Sequence, residues 1–186
     1  MDKLQALGTR VKSILRSATC FSICFRLDNI AIQTHMYSAI AGEVELGGIH
    51  LKIDGRGYDP TSDTLTMDTD DPEPAVVVHE ATHAAIDAYH LGLNVTLGTH
   101  EAPAYLGETL YWKYGGQRTS IDVMALARPL SLLADKVKFF NDAHRSGLFT
   151  CLQGDVVEIQ QILKFSALRM SIDRVYRMNG LSRWKL

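Results

Sequence analysis

The run from Val76 to Ala85 contains two histidines and a glutamate at the spacing H-E-x-x-H, namely His79, Glu80 and His83. Its other residues are mostly small or apolar, which favours a helix packed in the interior. Residues four apart lie on the same face of a helix, so both imidazoles can reach one metal ion. Glu80 follows the first histidine and can approach a water molecule held by that metal. Zinc hydrolases need this combination of a Lewis acid with an open position and a carboxylate base beside it.

The residues on either side of the motif predict where this helix begins and ends. Pro72 and Pro74 stand upstream, where a helix start tolerates proline, and Gly92 follows Leu91 and suits a C-terminal cap. We therefore expect a helix from about Ala75 to Leu91. Chance alone would produce this H-E-x-x-H spacing in roughly 1% of chains of this composition. The competing interpretation is a core helix whose histidines are hydrogen-bonded, but it would have to satisfy four polar groups near one face.

A third ligand is needed, because two histidines leave a catalytic zinc one protein ligand short. Glu101 lies 18 positions after His83, which leaves room for the end of the first helix, a tight turn and the entry to a second helix. Thr99 could cap that second helix, and acidic residues favour its first turns. Glu108 lies two turns further along the same face. The other candidates for the third ligand are His100 and Asp87.

An H-E-x-x-H run followed some 18 residues later by a helical glutamate resembles the gluzincin group of zinc metallopeptidases, to which thermolysin belongs. The stretch E-A-P-A-Y at 101–105 also resembles the E-x-x-A-[YF] pattern of many small bacterial zincin-like proteins. The resemblance covers about residues 57–112. It implies that His79, His83 and Glu101 bind Zn²⁺, that Glu80 is the general base, and that the substrate is a peptide or protein.

Further roles at such a site follow by analogy. Tyr105, one turn past Glu101, is the expected catalytic donor to the developing oxyanion, which needs a partner besides zinc. Tyr111 and His144 are weaker candidates for the same role. Asp87 could orient a ligand imidazole through its second ring nitrogen, as outer carboxylates commonly do.

Composition narrows the class of protein. A chain of 186 residues with 46% apolar and 22% charged residues suits one globular domain over 1–186. The net charge of −2 gives no general attraction to nucleic acid or anionic membranes. We expect no membrane-spanning helix and no signal peptide, hence a cytoplasmic protein unless it is exported by a non-classical route. Three cysteines do not suggest a disulfide framework and read as small buried hydrophobes.

The rest of the chain predicts mainly helices around a small sheet. Apolar residues from Leu4 to Ala18 repeat at helical spacing. Residues 43–46 and 49–53 alternate on either side of Gly47-Gly48 and read as a hairpin or two short strands. Residues 64–67 read as a strand, and 65–68 are the expected ledge on which a substrate backbone would pair. The acidic residues between 68 and 73 read as either a calcium or basic-substrate site or a solvated loop.

Helices are expected to dominate after the motif. Pro129 is predicted to open a helix that Gly147 ends, and Asp155 with Glu158 fits a capping box at the start of the next helix, which runs to about Met178. The predicted fold class is therefore α+β and mostly helical. It would be zincin-like, with a small N-terminal antiparallel or mixed sheet, an H-E-x-x-H helix and a C-terminal helical part.

Three functions remain open from the sequence. The first is a zinc metallopeptidase. The second is a zincin-fold metal-binding protein without peptidase activity, which would act as a binding or regulatory module. The third is a helical interaction domain in which the motif is accidental. The oligomeric state does not follow from any of these patterns.

Overall fold

The computed structural model describes residues 2–91, 97–115, 124–144, 148–165 and 180–181. The fold is α+β and mostly helical, with small antiparallel and mixed sheets, as the sequence predicts. The helices are α1 Lys3–Leu15, α2 Ala18–Phe21, α3 Thr34–Leu46, α4 Pro74–Ala88, α5 Leu97–Lys113, α6 Met124–Ala143 and α7 Gln153–Phe165. The strands are β1 Phe25–Leu27, β2 Ile30–Ile32, β3 His50–Ile53, β4 Gly57–Asp59 and β5 Thr64–Met67.

The strands form two separate sheets. Strands β1 and β2 make an antiparallel hairpin, and the second sheet has the order β3-β5-β4, with β3 parallel and β4 antiparallel to β5. The predicted strand at 64–67 is confirmed, but the predicted substrate ledge at 65–68 is wrong. Strand β5 lies in the middle of its sheet, so its backbone groups are already paired on both sides. Alternation along a strand shows that it is half-buried, not whether it lies at an edge.

The predicted hairpin around Gly47 is also wrong, although its second strand exists as β3. Residues 43–46 are the last turn of α3, and Gly47 ends that helix in the left-handed conformation with φ of 74°. The buried side chains of α3 include Met36, Tyr37 and Ile40, which recur at helical spacing. Four residues of alternation fit the end of a helix as well as a strand, and packing of the longer apolar face decides between them.

Three predicted helix starts lie inside helices instead. Helix α6 begins at Met124 and contains Pro129, α7 begins at Gln153, two residues before Asp155, and α5 begins at Leu97, before Thr99. The first helix agrees well, since Leu7, Val11, Ile14 and Leu15 of α1 are buried. The predicted ends at Gly92 and Gly147, and the helical continuation to Met178, lie outside the described residues.

Helix α4 runs through the centre of the core. Every residue from Pro74 to Ala88 except Val76 is buried. The helix contacts α1, α3 and α5 and also touches the strands β2, β4 and β5. Its alanines let these neighbours approach closely, because a methyl side chain keeps the helix narrow. The motif therefore lies inside the protein rather than on a surface helix.

Close approach between α4 and α5 occurs at Gly107. A Cβ atom at this position would lie 2.8 Å from Tyr37 Oη and 2.9 Å from Thr82 Oγ1. These two hydroxyls are hydrogen-bonded to each other at 2.9 Å, and Thr82 also donates to the carbonyl oxygen of Val78 at 2.7 Å. Gly107 therefore provides the space for a buried polar contact between α3 and α4.

The C-terminal end of α4 is fixed by Asp87, which is fully buried. Tyr58 Oη of β4 donates to Asp87 Oδ2 at 2.9 Å, and the backbone N–H of Gly180 donates to Oδ1 at 2.9 Å. Burial raises the pKa of Tyr58, and the carboxylates of Asp87 and Asp63 raise it further. Asp87 thus joins the motif helix to the sheet and to Gly180.

Two further expectations can be compared with the structure. Cys20 and Cys151 are buried and Cys24 is half-buried, and all three are free thiols, as expected for small hydrophobes. Among the described residues, no helix is both long and apolar enough to cross a membrane.

The packing at Gly107 generates a stability prediction. Gly107→Ala should lower the free energy of unfolding by about 1–3 kcal/mol, because the new methyl group has no space against the two hydroxyls. Gly42→Ala is the matched control, since Gly42 also lies in a helix but a Cβ atom there meets nothing within 4 Å. The control should be neutral or up to about 1 kcal/mol more stable. Urea unfolding of both variants measures the difference, and equal effects would contradict the assigned role of Gly107.

Candidate metal centre

Helix α4 brings the two motif histidines together in a buried position. The Nε2 atoms of His79 and His83 are 3.3 Å apart, and the two rings meet edge to face at 74°. His79 is 9% exposed and His83 is 6% exposed. Both nitrogens point to the same place because four residues make about one helical turn.

Glu101 of α5 completes the group. Its Oε2 lies 3.4 Å from His79 Nε2, and its Oε1 lies 3.6 Å from His83 Nε2. These three side chains are the one group of potential metal ligands found among the described residues. The acidic residues at 68–73 do not form such a group; two of them, Asp68 and Asp71, instead pair with Arg56 and Arg10. The calcium interpretation of that segment has no support among the described residues.

The spacing of the donor atoms suits a small tetrahedral ion. Zinc bonds of about 2.0–2.1 Å to nitrogen and oxygen place neighbouring tetrahedral ligands about 3.4 Å apart. The two Nε2 atoms are 3.3 Å apart, and each lies near this distance from one oxygen of Glu101: Oε2 for His79 at 3.4 Å and Oε1 for His83 at 3.6 Å. Two imidazole nitrogens and a carboxylate also form a donor set that zinc accepts in catalytic sites, where a fourth position stays open. The residues present therefore fit a metal ion.

Glu108 occupies a different place from the other candidates for the third ligand. Its Oε2 lies 3.1 Å from His79 Nδ1, the ring nitrogen that faces away from the cluster. Because a carboxylate only accepts, His79 Nδ1 carries the proton and donates it, which leaves Nε2 free to bind a metal. Glu101 therefore lies in the group that could hold a metal ion, whereas Glu108 lies against the outer nitrogen of His79.

Two rings from α5 cover the ligand histidines. The ring of His100 stacks flat on His83, with centroids 4.3 Å apart and planes 3° from parallel. The ring of Tyr105 meets His79 edge to face at 4.6 Å. Tyr105 therefore borders the cluster, and its role as a donor to an oxyanion stays a prediction. The stack on His83 could not be read from the sequence, because it depends on how α4 and α5 cross.

Glu80 is buried beside the cluster and is 8% exposed. The charge of Glu80 acts on His79. Burial by itself lowers the pKa of the His79 imidazole. Hydrogen bonds to Glu101 and Glu108, together with the charge of Glu80, outweigh burial and raise this pKa well above its ordinary value. Burial likewise opposes ionisation of Glu101, but the neighbouring imidazoles hold its pKa well below the usual range. Burial and the neighbouring His83 lower the pKa of His100. The cluster therefore holds carboxylate charge close to two nitrogen donors.

Three other residues named from the sequence lie in different surroundings. Asp87 binds Tyr58 and Gly180, as described above. Tyr111 is buried. Burial and the nearby Cys20 raise the pKa of its hydroxyl, and a hydrogen bond with Ser17 lowers it; both of these residues belong to the α2 region. His144 is exposed at the end of α6, where its ring stacks on Phe140. None of these contacts joins Asp87, or the two weaker donor candidates Tyr111 and His144, to the group of His79, His83 and Glu101.

Comparison with known proteins identifies no relative: no protein-family model, no curated protein and no solved structure matches the chain. The resemblance to gluzincins therefore rests on the motif residues of the sequence alone.

The different positions of Glu101 and Glu108 predict different effects of their removal. Glu108→Ala should weaken zinc binding by roughly 10- to 100-fold, the usual cost of losing the partner of a ligand histidine. Glu101→Ala should weaken it more, because a ligand is lost. Competition with a chromophoric chelator measures both affinities. The reverse order would mean that Glu108, not Glu101, is the third ligand.

Metal binding should also stabilise the fold, since an unfolded chain does not hold the three ligands together. Zinc at 100 times its dissociation constant should add about 2.7 kcal/mol to the free energy of unfolding and raise the melting temperature by roughly 5–10 °C. Elemental mass spectrometry should find about one zinc per chain. His83→Ala is the control and should show neither effect; an equal response in that variant would place the metal elsewhere.

Proposed function

We propose that this chain is a zinc-dependent hydrolase of the zincin type that cleaves peptide bonds in a peptide or protein substrate. The observation that carries the proposal is the group of His79, His83 and Glu101, in which the two Nε2 atoms are 3.3 Å apart and each lies 3.4–3.6 Å from one Glu101 oxygen. The order of a small mixed sheet followed by the motif helix and further helices is compatible with a zincin-like architecture.

Zinc is the proposed metal because of the donor set. Nitrogen donors suit zinc, and one carboxylate completes the three protein ligands of many catalytic zinc sites. Calcium and magnesium prefer sites made of oxygen atoms alone. When bound, zinc would act as a Lewis acid that lowers the pKa of a water molecule and polarises a carbonyl oxygen.

The proposed reaction assigns one task to each neighbouring residue. Glu80 removes a proton from the attacking water as the water oxygen bonds to the peptide carbon, and it passes that proton to the nitrogen as the C–N bond breaks. Tyr105 donates a hydrogen bond to the developing oxyanion. Glu108 holds the His79 ring in one tautomer through Nδ1. The products are a carboxylic acid and an amine, so one water is consumed for each bond broken.

One observation favours a second function. Glu80, His79 and His83 are each less than 10% exposed, and a general base must reach a substrate as well as water. A zincin-fold protein that binds metal but has no peptidase activity would tolerate this burial. Such a protein would serve as a binding or regulatory module, with the metal stabilising the crossing of α4 and α5.

Replacing Glu80 separates these two functions. Glu80→Gln keeps the size of the side chain but cannot accept a proton, so it should retain zinc and lower the turnover of a quenched fluorescent peptide library by about 100- to 10,000-fold. Glu158→Gln is the matched control, since this glutamate is exposed on α7. Turnover by Glu80→Gln at the wild-type rate would overturn the general-base role. Zinc-loaded wild type without turnover would favour the binding module.

A further inference from the structure

The two ligand histidines are held in different ways. His79 has a carboxylate partner for its outer nitrogen, because Nδ1 donates to Glu108. The corresponding Nδ1 of His83 is buried and has no hydrogen-bond partner among the described residues. Asp87, one turn further along α4, is the residue that the sequence offers for orienting a ligand imidazole, but the contacts described for Asp87 are with Tyr58 and Gly180.

An aromatic stack covers one face of the His83 ring. The ring of His100 is 3° from parallel to that of His83, with centroids 4.3 Å apart. His100 is 1% exposed, so it is fixed in the packing between α4 and α5. It immediately precedes Glu101, and one turn of α5 therefore supplies both the third potential ligand and the ring that covers the second.

The same geometry excludes His100 as a ligand beside His83. The lone pair of an imidazole nitrogen lies in the plane of its ring, so a metal bound to His83 lies in the His83 plane. The plane of a ring stacked parallel to it passes several ångströms away from that point. His100 can act on the metal only through His83.

We infer that His100 is a positioning residue: its stacked ring holds the plane of the His83 imidazole so that Nε2 points at the metal. The inference rests on the proposed metal site. A ligand ring with no partner at its outer nitrogen can turn about the Cβ–Cγ bond, and metal sites need their donors within about 10–20° of the productive direction. The flat contact limits this rotation from one side of the ring.

Two substitutions at position 100 test the stack. His100→Leu removes the ring and keeps an apolar side chain in the buried space, and it should weaken zinc binding by about 10-fold. His100→Phe restores a flat ring without a nitrogen atom and should keep the wild-type affinity. The visible absorption bands of bound Co²⁺ report the ligand geometry, so they should change in His100→Leu and remain unchanged in His100→Phe. Leu106→Ala, a fully buried position on the same helix, is the control for general loss of packing and should leave the Co²⁺ bands unchanged.

The outcomes are distinguishable. Wild-type affinity and wild-type Co²⁺ bands in His100→Leu would overturn the positioning role while leaving the metal site in place. A loss in His100→Phe as large as in His100→Leu would also overturn it, since the effect would then depend on the nitrogen atoms and not on the ring. If His100→Leu does not fold, His100→Phe decides alone by the same two measurements. Absence of metal binding in the wild type would overturn the metal site and this inference together.

Discussion

The crossing of α4 and α5 is the constraint on which the candidate site depends. The two helices approach closely at Gly107, where the hydroxyls of Tyr37 and Thr82 occupy the space that a side chain would fill. Glu101 lies six residues earlier on α5, about 9 Å along the helix at 1.5 Å per residue. Its carboxylate contacts His79 and His83, which flank Thr82 on α4. A wider crossing would separate the carboxylate from the imidazoles and remove the group of donors.

Burying this cluster has an electrostatic cost that its members offset mutually. A buried carboxylate is expensive to ionise unless opposite charge or hydrogen bonds surround it. Without metal, a doubly protonated His79 ring faces Glu108 with Nδ1–H and Glu101 with Nε2–H, so the carboxylates raise the pKa of the imidazole and the imidazoles lower that of Glu101. A dication would replace that proton and supply more positive charge to the same oxygens. Metal binding should therefore release a proton from His79.

Local signals predicted α4 well and its surroundings less well. The apolar run around His79 and the upstream prolines anticipated a helix close to the observed Pro74–Ala88, and counting residues placed Glu101 in reach of the histidines. Short-range patterns failed where two structures satisfy the same pattern. Alternation over 43–46 fits the last turn of a helix, and a strand at 64–67 can be central or at an edge. The long apolar face of α3 makes residues 43–46 helical, and the pairing of distant strands places the strand at 64–67 in the centre of its sheet.

Long-range contacts explain why the support around the ligands could not be read from the sequence. Asp87 has the right spacing on α4 to serve His83, but it accepts hydrogen bonds from Tyr58 and from Gly180, 93 residues away. Its carboxylate connects the motif helix to the sheet through Tyr58, and to Gly180, rather than accepting a hydrogen bond from His83 Nδ1. The His100 ring of α5 supports His83 instead, because α5 already lies against that histidine. Spacing along one helix can therefore identify candidate ligands. The residues that orient those ligands depend on which neighbouring side chains the fold places against them.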